Sequence, residues 1–260
     1  MTGEEYMTKR FPRATEAERA KIVLDWDKKL AISEGVLADF VKRTGRPVAG
    51  LSILDAGSGN GDMSICFSRA GAKIIGVDVE EDLVAIARAR SVDQQVAPEF
   101  ILYDGGRLPA EDDVFDAALS VSVLEHVTDP VNYLQEILRT VKPDGCLYLA
   151  FPNRLWPKET HTGLWFVTYV SYSLTDRLVR FFGKNPLADN NLHFYGYWSL
   201  SKMLNKAQVG DYRWQLVPEK GETKNKLKIV IKNILNFGGL NYKIFLPHIS
   251  VILRKEKLKV

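Results

Sequence analysis

The segment Asp55-Ala-Gly57-Ser58-Gly59-Asn-Gly61 places three glycines at alternate positions, directly after the short apolar run 51–55. Glycines at a strand-to-helix junction adopt dihedrals closed to other residues and let a ligand touch the backbone. In an open parallel sheet, ligands bind beyond the C-terminal strand ends. Two ligands compete for such a turn. A dinucleotide rests its pyrophosphate on the helix N-terminus and wants a third glycine where this chain has Asp62. A carboxylate there, beside Asp55, is a poor neighbour for a diphosphate but suits a cationic or zwitterionic ligand. Asp78 closes the next apolar run, where an acid can accept hydrogen bonds from both ribose hydroxyls. Asp104 closes the third, placed to accept from an adenine amino group. The layout fits an adenosine that lacks phosphates and carries positive charge. Each acid also has a structural reading: Asp55 as a brace for the turn, Asp78 as a helix cap, Asp104 as the start of a turn.

Three further side chains could move a proton. Histidine titrates near neutrality and serves as a general base. His126, within Val123-Leu-Glu125-His126-Val127, follows the fourth apolar run, and reads equally as a packed histidine bonded to a backbone carbonyl. Glu159 and His161 lie in an aromatic stretch with Trp156, Trp165, Phe166, His193, Tyr195 and Tyr197, and could form a general-base pair. Aromatics of this kind supply apolar walls with polar tips for an acceptor. The competing reading is a surface helix whose aromatics pack on the sheet.

The elements that must position these residues are legible from periodicity. Residues 16–43 read as helix, with a break expected near Ile32-Ser33-Glu34 and Ser33 as cap of a second helix. The glycine turn leads into a helix bearing Met63, Cys66, Phe67 and Ala70, closed by Gly71. Lys73 to Asp78 is the second strand, and Glu80-Glu81-Asp82 open a helix to about Arg90. Phe100 to Tyr103 and Phe115 to Val121 are the third and fourth strands. Asp129 caps a helix that Pro130 begins, and Cys146 to Phe151 is the fifth strand. Trp198 to Gln208 reads as helix capped by Ser199, Tyr212 to Val217 as strand, 224–237 as a basic apolar helix, and Ile249 to Leu253 as the last strand. Apolar strands alternating with helices through short loops argue for a parallel α/β sheet covered on both faces.

In order, Leu54-Asp-Ala-Gly-Ser-Gly-Asn-Gly61, Gly76-Val-Asp78, Tyr103-Asp-Gly-Gly-Arg-Leu-Pro109, Phe115-Asp116, Val123-Leu-Glu-His-Val127 and Lys142-Pro-Asp-Gly145 resemble the class I S-adenosylmethionine-dependent methyltransferases over roughly residues 50–152. Each segment alone is weak, and their order carries the resemblance. It implies a Rossmann-like three-layer α/β sandwich, its seven-stranded, mostly parallel sheet ending in an antiparallel strand. It implies S-adenosylmethionine as cofactor, with contacts at Asp55, Gly57, Ser58, Gly59, Gly61, Asp78, Val79, Asp104, Gly105, Leu108 and Ser120. The ubiquinone-pathway O-methyltransferases are similar here, and their Glu-x-x-Glu-His motif implies a divalent metal. This chain has Ser122 in place of the first carboxylate, leaving Glu125 and His126 as one adjacent pair, so no metal is expected.

The bulk properties are consistent with one large domain or a domain with an elaborated edge: 260 residues, 46% hydrophobic and 26% charged. A net charge of +3 is too small to signal nucleic acid, and no nucleic-acid partner is expected. The charge is uneven, because residues 218–260 carry ten Lys/Arg against three Glu, or +7, leaving −4 for the rest. Only Cys66 and Cys146 are present, which suits a reducing compartment. No secretory signal or membrane-spanning run is visible, so a cytoplasmic location is expected. The basic C-terminal region, Lys224 to Lys243, invites contact with an anionic membrane surface, although a helix packed on the sheet is favoured. The expected organisation is an N-terminal helical cap (1–47), a cofactor-binding core (48–152), an aromatic lid over the acceptor site (153–197) and a C-terminal completion of the core (198–260). The expected activity is methyl transfer to an oxygen of a small-molecule, glycan or lipid-linked acceptor. A non-catalytic cofactor-binding subunit and a nicotinamide oxidoreductase are the alternatives.

Overall fold

The computed structural model describes residues 15–184, 187, 191–207, 212–216 and 245–255. In chain order the elements are α1 (Glu16–Thr44), β1 (Ser52–Ala56), α2 (Asp62–Arg69), β2 (Lys73–Asp78), α3 (Glu81–Asp93), β3 (Glu99–Leu102), β4 (Phe115–Val121), α4 (Pro130–Thr140) and β5 (Val141–Pro152). Then come α5 (Tyr172–Phe181), α6 (Tyr197–Lys206), β6 (Tyr212–Leu216) and β7 (His248–Lys255), with short 3-10 turns at Leu124–His126 and Val167–Tyr169. The strands form one seven-stranded sheet in the order β3-β2-β1-β4-β5-β7-β6. β1 pairs in parallel with β2 and β4, and β2 in parallel with β3, while β6 and β7 are antiparallel. The α/β fold class and the antiparallel closing strand are those expected.

The chain divides into two compact units. The first holds the chain through Ser120 together with Glu136–Leu147, and the second holds Val121–Gln135 and the chain from Tyr148 to Glu256. In the first, β1 is sealed: Ile53, Leu54, Asp55 and Ala56 are all buried. A strand covered on both faces needs a continuous apolar run, which is why this stretch shows no alternation. α1 packs through Phe40, whose ring meets Phe67 of α2 edge-on at 5.7 Å, and through Trp26, which lies against Arg90 of α3. In the second unit, Val179 of α5 clusters with Leu187 and Leu192, flanked by Leu164 and Phe194.

Three local expectations are corrected. α1 is continuous: Ser33 is buried and its hydroxyl donates to the Lys29 carbonyl one turn back, so it back-bonds within the helix and caps nothing. α6 begins one residue earlier than expected, and its N-cap is Gly196. Ser199 sits in the first turn and exchanges hydrogen bonds with the Gly196 N–H and carbonyl. α3 runs on to Asp93. Asp129 does cap α4, accepting from the Asn132 N–H at 3.1 Å. The basic helix expected over 224–237, and with it the membrane-facing stretch to Lys243, lies outside the described residues. Among the described residues no helix is long and apolar enough to cross a membrane.

Gly76 shows how tightly β2 abuts the turn after β1. A Cβ there would fall 2.8 Å from the Phe100 ring and 2.8 Å from the Ser58 Cβ. Such overpacking costs roughly 1–3 kcal/mol. Gly76→Ala is therefore expected to lower the free energy of unfolding by about that amount, read from urea melts. A melt identical to that of the parent protein would contradict this packing.

Candidate functional site

The turn after β1 takes left-handed conformations at three residues, Gly57 (φ 79°), Gly59 (φ 51°) and Gly61 (φ 80°). At Gly61 a side chain is doubly excluded, since a Cβ would also lie 3.0 Å from Ala87 and from Phe100. At Gly59 the space is open, with nothing within 4 Å of the Cβ position. The N–H groups of Gly57 and Ser58 both donate to the Val77 carbonyl of β2, each at 2.9 Å. The Gly59 N–H donates to Asp78 Oδ2 at 2.7 Å, and Asp78 Oδ1 accepts from the Glu80 N–H at 3.0 Å. Asp78 is thus buried, and each oxygen keeps a lone pair beyond the backbone bond it makes. The Ser58 hydroxyl is buried without a hydrogen-bond partner.

Asp55 accepts from the Ser64 hydroxyl of α2 at 2.7 Å, so it braces the turn against the following helix. Burial pushes its carboxyl up to about 7, the Ser64 bond only partly offsetting this. Asp62 does not behave as expected. Its carboxylate is 2.7 Å from the Arg90 guanidinium, which also donates to the Asn60 carbonyl at 2.7 Å and lies 4.8 Å from the Trp26 ring centre. The Asp62 charge is compensated, so it does not by itself repel a diphosphate. Arg90 is a site-building residue missed in the sequence. Its position on α3 carries no local signal, because Asn60 lies in the turn after β1, Asp62 opens α2 and the stacking ring comes from α1.

At the ends of β2 and β3, Val79 and Leu102 are exposed apolar side chains. Gly105 is left-handed (φ 83°), and a Cβ there would touch Val79 at 3.4 Å. Asp104 is exposed and accepts from the Gly106 N–H at 2.9 Å, so the turn-forming alternative describes what it does in the free chain. Leu108 is buried, its N–H held by Glu136 of α4, and Arg139 pairs with Glu136 and Asp112 to fix that loop. Ser120, in β4, is fully buried. Leu102 was not singled out from the sequence, though an apolar residue closing an edge strand is a readable signal.

In the second unit, Glu125 and His126 lie in the 3-10 turn after β4. The His193 N–H donates to the Glu125 carbonyl, and Asn191 donates to the His126 carbonyl, strapping that turn in place. His161 Nδ1 is 3.0 Å from Glu159 Oε1, so the expected pair is formed. Glu159 is buried and also accepts from the His161 N–H and from the Thr162 N–H and hydroxyl. Burial alone would raise its carboxyl, but these donors outweigh it and hold Glu159 down to about 2. A carboxylate so fully occupied orients His161 and takes no proton itself. The Glu159 bond in turn raises His161 above its usual value. His161 Nε2 faces Glu125 Oε1 at 3.9 Å, and its ring meets that of His126 edge-on at 5.3 Å. Glu125 is buried with neither oxygen hydrogen-bonded, and burial pushes it up to about 7. The remaining aromatics divide. His193 stacks between Tyr172 and Tyr195, whereas Trp165, Phe166, Tyr169 and Phe181 are exposed.

Residues 54–149 match the family model described as a methyltransferase domain. A ubiquinone biosynthesis O-methyltransferase from Xanthomonas oryzae pv. oryzae is 34% identical over 108 residues, covering 41% of this chain and 45% of the relative. A protein of the same description from Hydrogenovibrio crunogenus is 28% identical over 142 residues, covering 48% and 58%. The chain thus spans about half the length of the curated relatives it matches. Among solved structures, the plantazolicin methyltransferase BpumL in complex with SAH superposes with a TM-score of 0.58 at 14% identity, covering 97% of this chain and 94% of that one. The YcgJ protein of Bacillus subtilis superposes with a TM-score of 0.57 at 17% identity, covering 88% and 100%. At these identities the likeness is one of fold.

Asp55 generates a pH dependence. Its folded pKa of about 7 lies above the ordinary carboxylate value of 3.8, so its stabilising contribution is complete below about pH 4 and is lost as pH rises through 7. The parent protein is expected to lose stability between about pH 4 and pH 7, by no more than ~4 kcal/mol from this residue at ~1.4 kcal/mol per pH unit. Asp55→Asn should flatten that slope in urea melts across the range. An unchanged slope would remove Asp55 as its source.

Proposed function

We propose that this chain, a class I S-adenosylmethionine-dependent methyltransferase in its 54–149 domain, transfers a methyl group to an oxygen of a small-molecule acceptor. The observation that carries the cofactor assignment is the junction of β1 and β2. There a left-handed glycine turn with open space at Gly59 is tied to Asp78, beside a buried Ser58 hydroxyl that lacks a partner. These features fit the cofactor. The open backbone admits its amino-acid tail, Ser58 has a hydroxyl to give it, and Asp78 has lone pairs left for the ribose. Exposed Val79 and Leu102 offer apolar surface for the adenine, with Gly105 against Val79, and Asp104, Leu108 and Ser120 are assigned to the same ligand. Gly57, Gly61 and Asp55 shape the turn without needing to touch the ligand.

Bound, the cofactor supplies a methyl group already activated on a sulfonium. What the chain must add is alignment of the acceptor, exclusion of water and management of the acceptor's proton. We assign that last task to His126 and His161, with Glu159 holding the His161 ring, and add Glu125 to the set. The 153–197 segment, whose Trp165, Phe166 and Tyr169 are exposed, is assigned to the acceptor. Two relatives named as O-methyltransferases support oxygen as the atom methylated. The exposed aromatics support an acceptor with substantial apolar surface, which includes the lipid-linked class.

Isothermal titration of the full chain with S-adenosylmethionine, S-adenosylhomocysteine and NAD tests the cofactor. Both sulfur ligands should bind and NAD should not, while tight NAD binding without either sulfur ligand would overturn the reading. Asp78→Ala should weaken S-adenosylhomocysteine by at least about 5-fold, the loss of one charge-assisted hydrogen bond. Unchanged affinity in a folded variant would remove Asp78 from the site. Transfer of labelled methyl groups to hydroxylated small molecules tests the acceptor class.

A further inference from the structure

Glu125 is 1% exposed, and neither of its carboxylate oxygens has a hydrogen-bond partner. Burying a carboxylate in this way is costly unless something of opposite charge shares the space. Two imidazoles stand beside it. One ligand atom each from Glu125, His126 and His161 lies within 4.8 Å of the other two, a spacing that three donors around one ion adopt. His161 is oriented for that role. Its Nδ1 is bonded to Glu159, so a proton sits there, and once Nε2 gives up its own proton that nitrogen is a lone-pair donor 3.9 Å from Glu125 Oε1. A carboxylate holding the far nitrogen of a histidine is the usual support of a metal-bound imidazole.

We propose that Glu125, His126 and His161 form a binding site for a divalent transition-metal cation of the zinc class. Two nitrogens and one carboxylate oxygen suit that class better than magnesium or calcium, and three protein ligands leave a position open to an outside oxygen. The site was hidden in the sequence because Ser122 stands where a nearby carboxylate would be needed. His161 replaces that ligand from a separate segment beyond β5. All four residues belong to the same compact unit. The ion needs no methyltransferase chemistry to bind. Only its use, acidifying the acceptor hydroxyl that occupies the open position, rests on the function proposed above.

The test uses the full chain, stripped with a chelator and titrated with Zn²⁺ and with Co²⁺, without cofactor or acceptor. One equivalent should bind, and cobalt should show the intense visible absorption of a four- or five-coordinate site. Glu125→Gln and His161→Ala should each weaken binding at least 100-fold. Glu159→Gln, which removes only the support, should weaken it about 10- to 100-fold. Circular dichroism reports whether each variant folds, and if His161→Ala does not, the near-isosteric Glu125→Gln and Glu159→Gln carry the comparison. A folded parent chain that takes up neither ion overturns the proposal, as does binding that survives both Glu125→Gln and His161→Ala. In the first case Glu125 and His161 are only an ion pair. Titration of the stripped parent with S-adenosylhomocysteine reads the cofactor assignment separately, so the two can fail independently.

Discussion

One carboxylate organises the first unit. Asp78, at the end of β2, accepts the Gly59 N–H on one oxygen and the Glu80 N–H on the other. The first bond pins the turn after β1, and the second sets the start of α3. Because the turn is pinned by its backbone, the residue at Gly59 needs no side chain to hold it, and the space above stays open. Because β2 approaches so closely, position 76 has no room for a Cβ. α3, begun at Asp78, then returns Arg90 to the same turn, where it neutralises Asp62 and holds the Asn60 carbonyl. The surface of this turn is thus backbone and carboxylate lone pairs on a frame closed by one buried acid and one buried base.

Much of this frame was legible. The strand-turn-helix at β1 and α2, the acids closing β2 and β3, and the capped start of α4 all show in local pattern, because each rests on neighbours in sequence. The α/β class followed from the sealed strands, whose apolar runs have no other stable use. The errors lie where tertiary contacts overrule local ones. Ser33 and Ser199 both look like helix caps, yet one is buried mid-helix and the other serves from the first turn of α6. Propensity marks such a residue as able to bond backbone, and packing decides which backbone group it finds. Asp62 is the instructive failure. Its charge was weighed alone against a diphosphate, and the conclusion about the cofactor agrees with the family match, but that step does not hold. Arg90 cancels the charge from a helix whose sequence gives no hint of it.

Three buried acids show how the number of donors bears on what a buried carboxyl does. Glu159 and Glu125 lie in one unit, and both are almost inaccessible. Glu159 collects donors from His161 and Thr162 and stays ionised far below neutrality, so its role is to hold a ring. Glu125 collects none, and burial drives it up to about 7. Asp55 collects the Ser64 hydroxyl, too little to offset its burial, and ends as high as Glu125. From sequence the three are interchangeable letters beside apolar neighbours.

The same contrast bears on where the proton of the proposed reaction can go. A residue expected to act as a base must have an unoccupied lone pair facing the substrate, and Glu159 spends its lone pairs on His161 and Thr162. His161 spends one nitrogen on Glu159 and keeps the other toward Glu125. The unspent capacity of this cluster is therefore concentrated between the His161 Nε2 and the Glu125 carboxylate, with the His126 ring edge-on beside them. The buried Glu125 carboxylate is stable beside the exposed His161 ring only with positive charge between them, whether a proton on His161 or a metal ion supplies it. Sequence reasoning settled on the histidines because their pKa suits the task. The geometry shifts the weight to Glu125, whose burial outweighs the compensation that its backbone and the His161 charge offer.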